Sequence, residues 1–369
     1  MKKKWLKYGT AILLVICMTM MLFGCGANPD AEETEAEGNP EAAPETLKVG
    51  MLGLDIKTAC IILAKELGHY EEEGVNVEFE TISNLADGLT AVEQGKLDIL
   101  PFGVIPTCTF VSQGSDVHVI AGTISEGSEI IVTKENADTI NSAQDFVGKK
   151  IGCFRMETGH MVIKGYLREA GIDINKDVEF VYLDSQNSIL EAVKKGDVDL
   201  GFVNSGYGYI AQKSGLAVAA TAGDFVSDFP CCRQTTSRET LTNKQDALVK
   251  FETAVLRGYE TYMTDKETTI SVLAEYCGQD KEYVEAIMYG LKDTYKNAMI
   301  ISIDPNKNKV ADFYEVMKAN GDIAADTEYI MEDHVDTSIY EDALKIMIDR
   351  GSNKELFTQL MEEFKINNL

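Results

Sequence analysis

Two segments of this chain combine side-chain types that could do chemistry. The first is Arg155-Met156-Glu157-Thr158-Gly159-His160, a loop that runs into a helix. A Thr-Gly pair opening a helix exposes backbone N–H groups and a hydroxyl, a ready site for an anion. Ordinary N-capping by Thr158 is the alternative, and a cap and a ligand contact can coexist. Arg155 offers a charge to an anionic head group, or a salt bridge to Glu157 or another acid. The second segment is Asp228-Phe229-Pro230-Cys231-Cys232-Arg233. Two adjacent cysteines cannot easily chelate one ion tetrahedrally without distant partners. The four histidines, His69, His118, His160 and His334, show no HxH or HxxxH spacing, so no metal ligands are assigned. No GxSxG, P-loop, GxGxxG or nucleophile–base motif appears. The reading is therefore of a protein that is not an enzyme and holds no cofactor.

Further candidates lie in loops that follow β-type runs. They are Asp55 and Thr58, Ser83 and Asn84, Phe102 and Gly103, and Asn204 and Tyr207. Phe102 and Tyr207 would stack on a flat ligand or else belong to the core. Ser83-Asn84 would bond a ligand or merely start the helix at Ala86. Cys60, Cys108, Cys153, Cys231, Cys232 and Cys277 show no CxxC pairing, and most sit in apolar contexts. They read mainly as buried thiols, with no oxidised pair assignable.

The elements that position these groups begin after an unusual N-terminus. Lys2, Lys3, Lys4 and Lys7 precede an apolar run from Ala11 to Phe23, broken only by Thr19. That order makes an export signal, and the run is too short for a comfortable membrane span. It ends in Leu22-Phe23-Gly24-Cys25, which resembles the bacterial lipobox. There the thiol takes a diacylglyceryl group before the signal is cut. Residues 1–24 are thus expected to be removed and Cys25 to carry the lipid that holds the chain on the outer membrane face. Residues 25–46 are rich in glutamate, alanine and proline and hold no aliphatic residue larger than alanine. Such a segment cannot offset its ordering entropy, so a disordered acidic tether is expected.

The remainder exceeds the usual size of one core, so two lobes are expected. The net charge of −26 leaves no basic stripe for phosphates and argues against nucleic acid. An internal repeat supports two lobes. LKVGML near Lys48 matches KKIGCF near Lys150, placing Gly50 on Gly152. LTAVEQGKLDIL (89–100) aligns without gaps on LEAVKKGDVDLG (190–201). Each copy reads β-loop-α-β-α-β, so each lobe is a mostly parallel sheet flanked by helices. Residues 117–134 and 216–237 then act as two crossings between lobes. The division is 47–131 plus 226–369 for the first lobe and 132–225 for the second. The last third reads as six helices that wrap back on the first lobe. A cleft at the strand C-termini is the natural ligand site.

The stretch LKVGML…AKELGHYEEEGVNVEF…GLTAVEQGKLDILPFG, with FYEVMKANGDI…VDTSIYEDAL near the end, resembles bacterial solute-binding proteins of ABC importers. It is most similar to the group for sulfonates, taurine, nitrate and thiamine-precursor pyrimidines. The resemblance implies a two-lobe clam-shell α/β fold with a hinge and one small-molecule site in the cleft. It also implies delivery of the solute, by a monomer, to an ABC permease and its ATPase. A small organic anion or a nitrogen heterocycle is the expected solute. The fungal pyrimidine-synthesis relatives imply an enzyme on the same fold as the alternative, and a sensor without transport is another.

Overall fold

A computed structural model describes residues 44–155 and 157–369, and the signal and most of the tether lie outside it. The chain opens with strand β1 (Thr46–Met51), helix α1 (Ala59–Glu66), the short α2 (His69–Glu73), β2 (Asn76–Thr81), α3 (Leu85–Glu93) and α4 (Val104–Ser112). Strand β3 (Val117–Ser125) leads into β4 (Ser128–Thr133), β5 (Lys150–Cys153), α5 (Thr158–Glu169), β6 (Glu179–Tyr182), α6 (Gln186–Lys195) and β7 (Leu200–Asn204). Then come α7 (Tyr207–Lys213), β8 (Leu216–Thr221) and β9 (Pro230–Ser237). The C-terminal part holds α8 (Arg238–Asn243), α9 (Gln245–Thr264), α10 (Lys266–Cys277), α11 (Lys281–Tyr289), the two-residue β10 (Ile300–Ile301), α12 (Lys307–Asn320), α13 (Ser338–Arg350) and α14 (Lys354–Asn368).

Strands β1 and β2 pair in parallel, and Ile99 bridges β1 in the same sense. Strands β10, β3 and β9 form an antiparallel sheet. A third, mixed sheet runs β6-β5-β7-β4-β8, with β4 antiparallel to its neighbours. The architecture is the two-lobe α/β fold expected. The chain passes from the three-stranded to the five-stranded sheet between Ser125 and Ser128 and returns between Thr221 and Pro230. The expected division at 131/132 therefore falls inside β4, because the β-run of 117–134 breaks at Glu126-Gly127, with Glu126 at φ 54°.

The repeat has a physical basis. Asp98 accepts from the Lys48 N–H at 2.8 Å, and its repeat equivalent Asp199 accepts from the Lys150 N–H at 2.7 Å. Each aspartate locks its strand to the segment that follows α3 or α6. A Cβ on Gly50 would stand 2.9 Å from Leu97 Cδ1, and one on Gly152 would stand 3.2 Å from Val198 Cγ2, again an equivalent pair. Both glycines admit the same close packing.

Helix α9 is the centre of the C-terminal part. Its Leu248, Phe251, Val255 and Leu256 are buried, and it packs on α1, α2 and α13. Gly258 lets α9 approach α1, since a Cβ there would lie 2.3 Å from the Cys60 carbonyl oxygen. The six helices expected in this third correspond to α9 to α14. They do not all wrap on the first lobe, however. Helix α12 packs on α5, and Glu282 of α11 accepts from Tyr209 of α7 at 2.7 Å.

Two buried carboxylates tie these parts together. Glu129 on β4 accepts from the N–H groups of Gly206 and Gly208, from Tyr295 OH at 2.8 Å and from Asn297 Nδ2. Burial pushes its carboxyl up to about 7 against the pull of those donors. Glu252 on α9, which accepts from Gln234 Nε2 at 3.0 Å, is pushed by burial up to about 8. In the unfolded chain both fall near the ordinary 4.3. The folded state therefore binds more protons between those values, and stability falls as pH rises through this window. Each group contributes on the order of a few kcal/mol at the low-pH end of its window, Glu252 more than Glu129. Urea midpoints should drop between pH 5 and pH 8, and Glu129→Gln should flatten that slope. A wild-type slope unchanged in the variant would discount Glu129.

Candidate functional site

A cavity of about 190 Å³ opens between the loop after β1 and the loop after β7. Asp55 and Lys57 line it from one side, Asn204, Ser205 and Tyr207 from the other, and Tyr283 and Ile287 of α11 close it. These loops follow the carboxyl ends of strands in different sheets, the place where open α/β sheets bind ligands. Lys57 Nζ lies 3.3 Å from Asp55 Oδ2. Burial alone would lower the Lys57 ammonium, but Asp55 and the two cysteines behind it reverse this and hold it above its ordinary range. Asp55 also caps its own short turn by accepting from the Lys57 N–H at 2.8 Å. The pair is thus preset by two residues of local sequence.

Beyond Lys57 lies Cys232, whose sulfur faces the Gly103 N–H at the start of α4. Cys231 stands next to it, Sγ to Sγ 3.8 Å, and both are buried. The Thr158 hydroxyl lies beside the Cys231 sulfur. Cys232 is drawn below the ordinary thiol range by the Cys231 S–H, then by Lys57 and Gly103 against the effect of burial. Cys231 is raised by the same thiol contact and by burial.

Several buried polar atoms here have no hydrogen-bond partner: Thr58 Oγ1, Ser128 Oγ, Thr158 Oγ1 and His160 Nε2. Buried hydroxyls are rarely left unpaired, and none of these residues lines the cavity itself. Gly159 is needed for this closeness, since a Cβ there would fall 2.1 Å from Ser128 Oγ.

The start of α5 differs from both sequence readings. Thr158 is not the cap. Glu157 is, accepting from the Gly159 N–H at 2.7 Å and the His160 N–H at 2.8 Å. Its carboxylate, 1 % exposed, occupies the position an anion would take.

Of the expected site residues, Asp55, Asn204 and Tyr207 line the cavity. The others do not line it: Gly103 and Thr158 lie against the two cysteines, Gly159 packs on Ser128, the His160 ring sits with Glu157, Phe180 and Tyr182, and Thr58 is buried. Others go elsewhere. Arg233 is wholly buried, does not line the cavity, and donates to the carbonyls of Pro305, Ile124 and Cys232 and to Ser125 Oγ. Phe102 is core, 2 % exposed. Arg155 is exposed, its guanidinium 4.5 Å from the centre of the Tyr182 ring. Ser83 and Asn84 are exposed and serve the cap of α3, where Asn84 accepts from the Asp87 N–H. Asp228 is exposed at φ 58° and lines a different groove with Tyr259 and Leu360. Lys57 and Glu157 stood in the expected loops without a ligand role of their own, and Ser128 and Tyr283 were not expected. Only Lys57 had a local sign, the Asp-x-Lys spacing after a strand.

Two histidines come together despite their sequence distance. His118 and His334 stack with centroids 5.0 Å apart, and Asp116 Oδ1 lies 2.7 Å from His118 Nε2. Arg238 Nε, 3.6 Å from the same Asp116 oxygen, balances its charge.

The sequence profile of the family described as NMT1/THI5 like matches residues 55–269. That segment holds both cavity loops, α5 and the cysteine pair. The chain belongs to the NMT1/THI5-like family. Among curated proteins no sequence matches it. Solved structures share the fold of this NMT1/THI5-like chain at low identity. The periplasmic aliphatic sulphonate binding protein SsuA from Escherichia coli is 17 % identical, with a TM-score of 0.63, over 80 % of this chain and 99 % of that one. The periplasmic nitrate-binding protein NrtA from Synechocystis PCC 6803 is 16 % identical, with a TM-score of 0.66, over 82 % of this chain and 88 % of that one. The desulfurization enzyme DszB is 13 % identical, with a TM-score of 0.58, over 82 % and 99 %. The fold therefore serves both binding and catalysis.

Proposed function

We propose that this NMT1/THI5-like protein is an extracytoplasmic solute-binding lipoprotein of an ABC importer. It captures a small organic anion or a nitrogen heterocycle between its lobes and hands it to a membrane permease. The observation that carries this reading is the cavity whose walls come from both sheets, with Lys57 as its cation and Tyr207 and Tyr283 as flat aromatic sides. A ligand that touches both loops favours the closed arrangement by its differential contacts, about a few kcal/mol. Lys57 suits a sulfonate or carboxylate. The tyrosines suit a planar ring. In this reading Cys25 carries the lipid, and the acidic tether keeps the domain near its permease and raises its effective concentration there. Binding is preferred to catalysis because the cavity loops bring no nucleophile together with a free general base.

A thermal-shift screen over sulfonates, carboxylates and pyrimidines tests the reading. A solute at ~100 times its Kd should stabilise the protein by about 2.7 kcal/mol. No response to any of these classes would defeat solute capture as stated. Conversion of the stabilising compound, followed by mass spectrometry, would favour the enzyme alternative.

A further inference from the structure

We propose that Cys231 and Cys232 form a thiol–disulfide exchange site, at which a low-molecular-weight disulfide closes a bond between these two adjacent residues.

The geometry begins with a flaw in β9. Cys232 pairs with Ile124 and Pro230 with Ser125, so Cys231 is the extra residue of a β-bulge. A regular strand sends neighbouring side chains to opposite faces. The bulge re-aims one of them, and the two sulfurs meet at 3.8 Å. The other buried thiols among the described residues, Cys60, Cys108, Cys153 and Cys277, form no such thiol pair.

The two cysteines are also unequal. Lys57 lies near both sulfurs, and Cys232 alone also faces the Gly103 N–H, which favours its thiolate. Cys231 faces the Thr158 hydroxyl and Gly127, where a Cβ would stand 2.7 Å from its sulfur. A thiolate beside an ammonium is the attacking partner, and a protonated neighbour is the resolving one. The sequence of steps balances. The Cys232 thiolate attacks one sulfur of the small disulfide, forms a mixed disulfide and expels one thiolate. Cys231 loses its proton and attacks the Cys232 sulfur, and the second small thiol leaves. The protein loses two hydrogens, and the disulfide is reduced to two thiols.

The site does not rest on the solute reading, because it is tested without any solute. Purified reduced protein would be incubated with oxidised glutathione, quenched with an alkylating agent and digested with trypsin. Cleavage after Lys213 and Arg233 gives the peptide 214–233, which contains these two cysteines and no others. The expected result is a peptide lighter by two hydrogens and closed to alkylation until a reductant is added, with the four other thiols still reduced. Cys231→Ser should accumulate a glutathione adduct on Cys232, and Cys232→Ser should give almost none. Lys57→Met should slow adduct formation severalfold in the Cys231→Ser background. A peptide that keeps both thiols, or oxidation spread equally over all six, would overturn the proposal. So would equal adducts on the two serine variants.

Discussion

Arg233→Met should destabilise the protein by about 3–5 kcal/mol, among the largest effects of any single substitution in the chain. The guanidinium is buried without exposure and donates to three carbonyls from three segments, those of Ile124, Cys232 and Pro305, and to Ser125 Oγ. Methionine fills much of the same volume, so the loss is mainly of hydrogen bonds. Each orphaned buried acceptor costs about 1–3 kcal/mol. Asp304 adds a favourable charge for the arginine. Urea denaturation at neutral pH measures the change. A midpoint within the error of wild type would mean that these acceptors find water readily. Any loss of solute binding in this variant should follow the unfolded fraction and vanish at low temperature, since Arg233 does not reach the cavity.

Lys57→Met should weaken an anionic solute by ~10–100-fold, the 1.5–3 kcal/mol of one charge-assisted hydrogen bond. Lys57 is the cation that lines the cavity among the described residues. Its removal leaves Asp55, 26 % exposed at the side chain, facing the incoming charge. Both effects act in the same direction. Lys57→Arg should recover part of the affinity, because the charge returns with a different reach. Calorimetry with the best anion from the thermal screen separates these outcomes. Equal affinities for wild type and Lys57→Met would remove Lys57 from the site and leave the tyrosines as the main contacts.

Much of the fold was legible because a duplication writes the same physics twice. Asp98 and Asp199 clamp equivalent strands, and Gly50 and Gly152 admit equivalent leucine and valine side chains, so both copies preserved the pattern. The C-terminal helices were legible from periodicity alone. The site was legible only in part. Asp55, Asn204 and Tyr207 follow from the rule that ligands sit at strand ends. Tyr283 could not follow from it, because it arrives on a helix more than two hundred residues from Lys57. Arg233 misled for the opposite reason. A charged residue next to a Pro-Cys-Cys turn looks exposed, yet the segment is strand β9, buried throughout. Glu157 misled in a subtler way. The Thr-Gly pair does open a helix, but the preceding acid folds back on it.

That carboxylate makes the head of α5 self-sufficient. Its N–H groups already hold a negative charge from their own chain, and the His160 ring lies against the same carboxylate. An anion arriving there would have to displace a buried residue that cannot diffuse away. The dipole of this helix is answered inside the fold. A charged solute in the cavity must therefore take its ionic contact from Lys57, the cation among the described residues that line it.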